Sequence, residues 1–346
     1  MQIDFFARRT HFVDHMVPVW RQLESERGQF FVPEAIADHA RKRGVDVVTL
    51  KARGSGIDVR PPRSENAMLI CSYGDLSVAY RADPRRKFIM MEHGVGITYG
   101  PHPGYAGGKG MRSKVSLFLA PNEIVRSKTQ RALPGVNQVV IGTPKLDPFV
   151  NTKRTKDHKE KPVVCISFHW NGSKVQAEAG NAFGHFRRAL PDLAVCGEFK
   201  LIGHGHPREI NYFAREYEKL GIEVVRDFDE VMERADLYVC DNSSTIYEFC
   251  VTGKPVVLMN APQYRRNVHW GIRFWDYTNI GPMMDMPIEL FPFILHALKH
   301  PEYWQEQREK AVRDLFPYLG CSARRAADAI REWLDDDDIY INRSLR

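Results

Sequence analysis

Three segments of the chain place histidines or hydroxyl groups directly after runs of apolar residues. His93 follows KFIMME, His204 and His206 end the run KLIGHGH, and Ser243 and Ser244 follow LYVCDN. Such runs predict buried strands of a parallel sheet, whose ligands bind in the loops at the carboxyl ends of the strands. Imidazoles at these positions can move protons or neutralise phosphate charge, and hydroxyls can donate to phosphate oxygens.

The segment 237–260, LYVCDNSSTIYEFCVTGKPVVLMN, carries the strongest local signal. A hydrophobic strand ends there in a small polar turn and a helix begins, with Ser243 or Ser244 as the expected cap. Unpaired backbone N–H groups and the helix dipole attract anions, so Asn242 and the two serines are predicted to hold phosphate. Glu248, one turn further on, could reach the ribose hydroxyls of a nucleotide. The structural alternative is a capped helix with a solvated Glu248.

The segment 200–209, KLIGHGHPRE, is a second strand followed by the start of a helix. It brings His204, His206 and Arg208 within five positions, and such groups can neutralise the charge that develops on a diphosphate leaving group. A solvated polar loop is the alternative. A zinc site is not expected, because the sequence has no second cluster at ligand spacing.

The segment 87–105 is a strand that ends in Glu92, His93 and Gly94. A histidine at this place can accept a proton from an acceptor hydroxyl, because its ordinary pKa lies near neutral pH. Gly94 and Gly96 would let a substrate approach the backbone closely. Glu92, Gly94 and Gly96 are therefore predicted to lie on the acceptor side of the site. The alternative is that His93 has only a structural role.

The segment 139–149, VVIGTPKLDPF, closes the first half of the chain. Thr143, Lys145 and Asp147 would lie at the hinge between two domains, where Lys145 could reach a phosphate. A domain exit fixed by its prolines is the equal alternative.

The composition is that of an ordinary globular protein, with 43% hydrophobic and 27% charged residues in a chain of 346. This length favours two hydrophobic cores. The net charge of +6 is compatible with a phosphate-bearing substrate, an anionic membrane face or nucleic acid. No apolar run of about 18 residues and no signal peptide is evident. A cytoplasmic protein without a transmembrane segment is therefore expected, and peripheral attachment to the inner membrane face stays open.

Short β-branched runs alternate with amphipathic helical segments through both halves, which predicts doubly wound parallel sheets. The predicted strands are 3–7, 45–50, 67–72, 87–91, 116–120 and 138–141, then 163–168, 200–202, 223–225, 237–240 and 255–259. Helices are expected from about residue 11 and over 287–299 and 322–334. The polar stretch 151–161 predicts a linker between an N-terminal domain, 1–150, and a C-terminal domain, 162–346; the last helix could instead pack on the first domain.

Six cysteines are scattered through the chain without a CxxC pair, mostly inside apolar runs. They are expected to be buried packing residues. They are Cys71, Cys165, Cys196, Cys240, Cys250 and Cys321.

Together the four segments, between residues 93 and 257, resemble the CDP-glycerol glycerophosphotransferases, the family of teichoic-acid polymerases and primases with the GT-B glycosyltransferase architecture. The matching positions are His93 and Gly94; Gly142, Pro144, Lys145 and Asp147; His206 and Pro207; and Asp241, Ser243, Ser244, Lys254 and Pro255. Two positions depart from the family pattern: Lys145 replaces an arginine, and Asn242 replaces an aromatic residue.

The resemblance implies two Rossmann-like domains facing across a cleft, the N-terminal one for the acceptor and the C-terminal one for a nucleotide donor. His93 would be the base acting on an acceptor hydroxyl, while His206 and the two serines would hold the pyrophosphate of a CDP-linked donor. Such transfer needs no metal and no further cofactor. Glycerol phosphate or a related group would pass to an acceptor that is a polymer, a lipid-linked molecule or a protein; modified DNA is a weakly supported option.

Two other functions remain open from the sequence. A GT-B glycosyltransferase using a UDP- or GDP-sugar would share the pyrophosphate contacts, and the serine pair followed by Glu248 also resembles the donor site of sugar-nucleotide 2-epimerases. A non-catalytic nucleotide- or glycan-binding protein is a candidate of a different class. Candidate groups in both halves favour catalysis, because binding alone needs only one.

Overall fold

The computed structural model describes residues 1–52, 59–95, 110–150, 161–172, 180–241, 243–260 and 278–344. The chain forms two compact α/β units. Unit 1 holds the described residues up to Pro148 and those from Leu315 onward, and unit 2 holds those from Phe149 to Asp314. Over the described residues, the chain therefore passes from unit 1 to unit 2 after Pro148 and returns to unit 1 at Leu315.

Within the described residues, unit 1 contains a seven-stranded, all-parallel sheet in the order β3-β2-β1-β4-β5-β6-β7. Its strands are β1 (Ile3–Phe6), β2 (Arg27–Pro33), β3 (Val47–Leu50), β4 (Ala67–Ile70), β5 (Phe88–Met91), β6 (Leu117–Ala120) and β7 (Asn137–Val140). Its helices are α1 (Thr10–Gln22), α2 (Ala37–Lys42), α3 (Tyr73–Ala82), α4 (Glu123–Ala132) and, from the C-terminal segment, α12 (Ser322–Ser344).

Alternate residues of the unit 1 strands enter two hydrophobic cores, one on each face of the sheet. Phe5 packs with α1 and α12 in one core, whereas its neighbour Phe6 packs in the other core. Leu69 and Ile70 of β4 divide in the same way. This double burial explains why the strands are almost uniformly apolar.

One charged residue in β1 breaks that rule. The Asp4 carboxylate forms a buried ion pair with Arg86 and also accepts hydrogen bonds from the Gln29 N–H at 2.9 Å and the Asn66 side chain at 3.1 Å. Arg86 donates further to the carbonyl oxygen of Asn66 at 2.8 Å. A buried pair of this kind is tolerated because its remaining donors and acceptors are satisfied.

Unit 2 contains a six-stranded parallel sheet in the order β10-β9-β8-β11-β12-β13 among its described residues. Its strands are β8 (Val163–Phe168), β9 (Lys200–Gly205), β10 (Glu223–Val224), β11 (Leu237–Cys240), β12 (Val256–Met259) and β13 (Met283–Met284). Its helices are α5 (Phe183–Phe186), α6 (Leu190–Val195), α7 (Ile210–Glu218), α8 (Phe228–Arg234), α9 (Thr245–Cys250), α10 (Leu290–Lys299) and α11 (Gln305–Leu315), whose last residue lies at the boundary with unit 1.

The predicted class, two doubly wound parallel sheets with helices, is confirmed. Sequence analysis missed β2, because only its last four residues are buried and the strand begins with polar residues and ends in Pro33. It also missed β13, which has only two residues. Four of the six cysteines are buried, and burial raises the pKa of the Cys240 and Cys250 thiols to about 12. Cys196 and Cys321 are only partly buried.

The residues at which the chain leaves and re-enters unit 1 are joined by the Asp147 carboxylate. It accepts backbone hydrogen bonds from Gly320 at 3.0 Å, Ser322 at 3.1 Å and Ala323 at 2.8 Å, and so caps the start of α12. Gly142 has a φ of +88°, and a Cβ atom there would lie 2.4 Å from the Pro317 carbonyl oxygen. The glycine and the aspartate of the GTPKLD segment therefore fasten α12 to unit 1.

Removing this cap should weaken α12. We expect Asp147→Ala to lower the free energy of unfolding by about 1–3 kcal/mol, because three N–H groups lose their acceptor. Asp328→Ala, which removes an exposed ion pair within the same helix, should change it by less than about 0.5 kcal/mol. Urea unfolding followed by circular dichroism would compare the two variants, and equal effects would contradict a capping role for Asp147.

Candidate active site

His93 lies directly after β5, and its ring is oriented by a backbone contact. Its Nδ1 lies 2.7 Å from the carbonyl oxygen of Cys71, at the end of the neighbouring strand β4. A carbonyl oxygen only accepts, so Nδ1 carries the hydrogen and Nε2 of the neutral ring carries a lone pair. This tautomer can accept a proton at Nε2.

Two more histidines from α1 surround His93. The ring centroid of His93 lies 5.7 Å from that of His11, 6.4 Å from that of His15 and 4.8 Å from that of Phe12. Burial lowers the pKa of His15 well below its usual value, and the nearby charges of Lys145 and His93 lower it further. His15 is thus held neutral beside the candidate base.

The other predicted acceptor-side positions have different surroundings. Glu92 is buried and its Oε1 pairs with Arg112 at 3.3 Å, while the Arg112 guanidinium also lies over the Tyr73 ring at 5.3 Å. Gly94 is buried next to His93. Gly96 and most of the glycine-rich segment after it lie outside the described residues. Glu92 therefore fixes Arg112 near the end of β5.

Thr143 and Lys145 follow β7 and are both buried in unit 1. The Oγ1 atom of Thr143 has no hydrogen-bond partner among the described residues. Lys145 lies close enough to His15 to depress its pKa, which places a cation of the GTPKLD segment near His93. The structure thus brings Lys145 together with the histidines of unit 1, and its predicted contact with phosphate stays a prediction.

In unit 2, the loop after β11 is fastened by the fully buried Asp241. Its Oδ1 accepts from the His169 N–H and its Oδ2 from the Ala182 N–H, each at 2.8 Å. The carboxylate therefore joins the loop after β11 to both ends of the connection between β8 and α5. This is a structural use of the aspartate in the DNSS element.

The two serines after Asp241 differ from each other. Ser243 Oγ accepts from Thr245 Oγ1 at 2.8 Å and from the Thr245 N–H at 3.4 Å. Ser244 is the first flanking residue of α9 but has helical backbone angles and makes no capping hydrogen bond with its side chain. Of the two serines expected as the cap, Ser243 thus accepts from the N–H of Thr245, the first residue of α9, whereas Ser244 does not cap because its backbone already continues the helix. Asn242 lies outside the described residues.

Glu248 and Lys254 are held inside unit 2. Glu248 is 2% exposed, so the alternative of a solvated carboxylate is wrong; its contact with ribose stays a prediction. Lys254 Nζ donates to the carbonyl oxygens of Met232 and Ala235, each at 2.8 Å, at the end of α8. The lysine of the lysine-proline element therefore caps a helix C-terminus.

His206 and Arg208 lie next to His169 and Trp170, the two residues that follow β8. The His206 ring centroid lies 4.9 Å from that of His169, and the Arg208 guanidinium carbon lies 4.3 Å from the centroid of the Trp170 ring. His206 Nδ1 accepts from the Arg208 N–H at 3.1 Å, so the hydrogen of the neutral ring is on Nε2. This tautomer can donate at Nε2, for example to a phosphate oxygen.

His204 has a different environment. It is buried, its Nδ1 donates to the Val225 carbonyl oxygen at 2.8 Å, and its ring packs 5.6 Å from Phe228. These contacts belong to the packing of β9 against β10 and α8, so the solvated-loop alternative is wrong for His204. Binding of phosphate by His204 stays a prediction.

Sequence reasoning missed His15, His169 and Trp170. His169 and Trp170 come directly after the predicted strand 163–168, and the same rule that selected His93 would have found them. His15 follows His11 by one helical turn, but this spacing was overlooked because α1 was interpreted only through its apolar residues. No group of three or more potential metal ligands, and no helix able to cross a membrane, occurs in the part of the chain that the structure describes.

The lowered pKa of His15 predicts acid sensitivity. Below about pH 6.5 an unfolded chain takes up a proton on this imidazole while the folded chain does not. The free energy of unfolding should therefore fall as the pH drops from 6.5 toward the folded pKa, by up to about 1.4 kcal/mol per pH unit. His15→Gln should make this fall shallower in thermal unfolding at pH 5, 6 and 7, whereas His300→Gln removes an imidazole from unit 2 as a control. Equal slopes in wild type and His15→Gln would contradict the assignment.

Comparison with known proteins identifies the fold. No family model and no curated sequence matches the chain. A variant of the wall teichoic acid polymerase TagF soaked with CDPG aligns over 97% of this chain and 89% of that one, at 12% identity and a TM-score of 0.66. The S. aureus MnaA–UDP co-structure aligns over 96% and 97%, at 13% identity and a TM-score of 0.65. UDP-GlcNAc 2-epimerase from Neisseria meningitidis, bound to UDP-GlcNAc, aligns over 97% and 100%, at 14% identity and a TM-score of 0.57. At these identities the likeness concerns the fold alone, and the chain has the GT-B class of fold with two Rossmann-like α/β units.

Proposed function

We propose that this protein transfers glycerol phosphate, or a related group, from a CDP-activated donor to an acceptor hydroxyl. The observation that carries the proposal is the tautomer of His93, which presents a lone pair on Nε2 at the carboxyl end of a buried strand. A base in this position suits the removal of a hydroxyl proton. Unit 1 would therefore bind the acceptor.

The proposed reaction is an in-line displacement. The acceptor oxygen forms a bond to the phosphorus of the transferred glycerol phosphate, the bond from that phosphorus to the bridging oxygen breaks, and CMP leaves. His93 Nε2 takes the proton of the acceptor hydroxyl. His15, held neutral beside it, adds no positive charge that would oppose proton uptake.

Unit 2 would hold the donor. In the proposal, His206 Nε2–H and Arg208 donate to the diphosphate, and Ser243 and Ser244 add hydroxyl donors from the loop after β11. The charge of the leaving nucleotide is thus met by protein groups, and activity is expected to persist in EDTA. No further cofactor is part of the proposal.

The neighbouring folds support a nucleotide-activated donor, but they leave open which nucleobase the donor carries. One TagF structure was soaked with CDPG, and the MnaA structure contains UDP. The motif positions favour the cytidine donor. A glycosyltransferase that uses a UDP- or GDP-sugar is the second candidate, because such donors need the same diphosphate contacts. We propose a polymeric or lipid-linked acceptor, with the protein in the cytoplasm or at the inner membrane face.

Replacing His93 separates catalysis from binding. We expect His93→Gln to lower the rate of CMP release from CDP-glycerol in the presence of acceptor by 10²- to 10⁴-fold. The Kd for CMP should change less than about twofold, because the base acts on the acceptor. His300→Gln, a substitution of a partly exposed histidine in unit 2, should leave both values unchanged. Wild-type rates in His93→Gln would reject the proposed base. Binding of CMP by a wild type that releases no CMP from CDP-glycerol would instead favour a non-catalytic binding protein.

Nucleotide preference decides between the two donor classes. Ligand at 100 times its Kd should stabilise the protein by about 2.7 kcal/mol, which a thermal-shift panel of CMP, CDP, UDP, GDP, CDP-glycerol and nucleotide sugars can detect. We expect the largest shifts from the cytidine compounds and their loss in the double variant Ser243→Ala/Ser244→Ala. A uridine or guanosine preference would assign the glycosyltransferase reaction instead. No response to any nucleotide would reject both.

A further inference from the structure

The carboxyl ends of β8 and β9 present an aromatic ring that the proposed reaction has not used. Trp170 is partly exposed, two residues after β8, and the guanidinium carbon of Arg208 lies 4.3 Å from its ring centroid. The two strands are hydrogen-bonded neighbours, with Phe168 opposite Gly205. The pair therefore forms a flat cationic and aromatic surface at the edge of the sheet where a donor is expected.

The backbone beside Trp170 is fixed by several hydrogen bonds. The His169 N–H donates to Asp241 at 2.8 Å, and the His169 carbonyl oxygen accepts from Asn181 at 2.8 Å. The His169 ring donates from Nδ1 to the Trp170 carbonyl oxygen at 3.1 Å. Although Trp170 follows the end of a strand, its backbone is thus held in one place, which lowers the entropy lost when a ligand stacks on the ring.

Arg208 is placed for stacking on the indole. It is exposed, and among the described residues it forms no ion pair within 4 Å. Its N–H donates to His206, so its backbone is tied to the imidazole proposed for the diphosphate. A tryptophan needed only for the core would be buried, whereas Trp170 keeps part of its surface in solvent.

We propose that the ring of Trp170, with Arg208 packed against it, is the surface on which the nucleobase of the donor stacks. Arg208 keeps its proposed role as a donor to the diphosphate. This inference rests on the proposed function, in which unit 2 holds a nucleotide. Because every base has a π-face, stacking contributes affinity with little selection between bases. The surface should therefore strengthen binding of cytidine and uridine nucleotides alike, while the diphosphate contacts of His206 remain separate.

The test measures Kd for CMP, UMP and inorganic pyrophosphate on the full-length protein by titration calorimetry. We expect Trp170→Leu to weaken CMP and UMP by roughly 5- to 150-fold, the equivalent of about 1–3 kcal/mol, with pyrophosphate changed less than about twofold. Trp170→Phe keeps a ring and should lose much less affinity. Tyr212→Leu, which removes an exposed aromatic ring from α7 of the same unit, is the matched control and should bind all three as wild type does.

Wild-type CMP affinity in Trp170→Leu would overturn the stacking surface and leave the proposed function standing. Equal weakening of CMP and pyrophosphate would overturn it as well, because Trp170 would then support the loop rather than the base. No binding of any nucleotide to the wild type would reject the proposed function together with this inference. If Trp170→Leu does not fold, the quenching of indole fluorescence by CMP is measured in the wild type and in a folded Trp170→Phe. Quenching that is smaller in Trp170→Phe supports stacking on Trp170, and equal quenching in the two proteins overturns it.

Discussion

The Asp147 carboxylate is the contact on which the arrangement of unit 1 depends. The chain leaves the unit after Pro148 and comes back at Leu315, and this one side chain binds three N–H groups just after the return. With the cap in place, α12 packs against α1 and closes one face of the sheet. Because His11 and His15 of α1 lie next to the His93 ring, the cap also supports the helix that places these two side chains.

Much of the fold could be predicted from the sequence because parallel strands buried on both faces are uniformly apolar. The strands 163–168 and 237–240 have the predicted bounds, whereas β2 begins with polar residues and was missed. The return of the last helix to the first unit was left open as an alternative in the sequence analysis, because local patterns cannot decide it. It depends on Asp147 and Gly142 meeting residues about 175 positions later, and periodicity carries no information about such contacts.

The sequence predicted where the residues of the candidate site lie better than it predicted what each residue does. The rule that polar residues follow strands selected His93 and His206, whereas Asp241 and Lys254, which were singled out only because they match the family pattern, satisfy backbone groups. A motif residue can serve the fold, the chemistry or both, and only its partners distinguish these cases. Asp241 shows the overlap, since it fastens His169, whose ring lies 4.9 Å from His206.

The two histidines at the centre of the proposal have opposite tautomers, and the local backbone sets each one. His93 Nδ1 faces a carbonyl oxygen and must donate, so its Nε2 accepts; His206 Nδ1 faces an N–H group and must accept, so its Nε2 donates. An acceptor hydroxyl needs a base, and a diphosphate needs hydrogen-bond donors. The same side chain is therefore suited to two different tasks by one backbone atom beside each ring, a distinction that residue type alone cannot reveal.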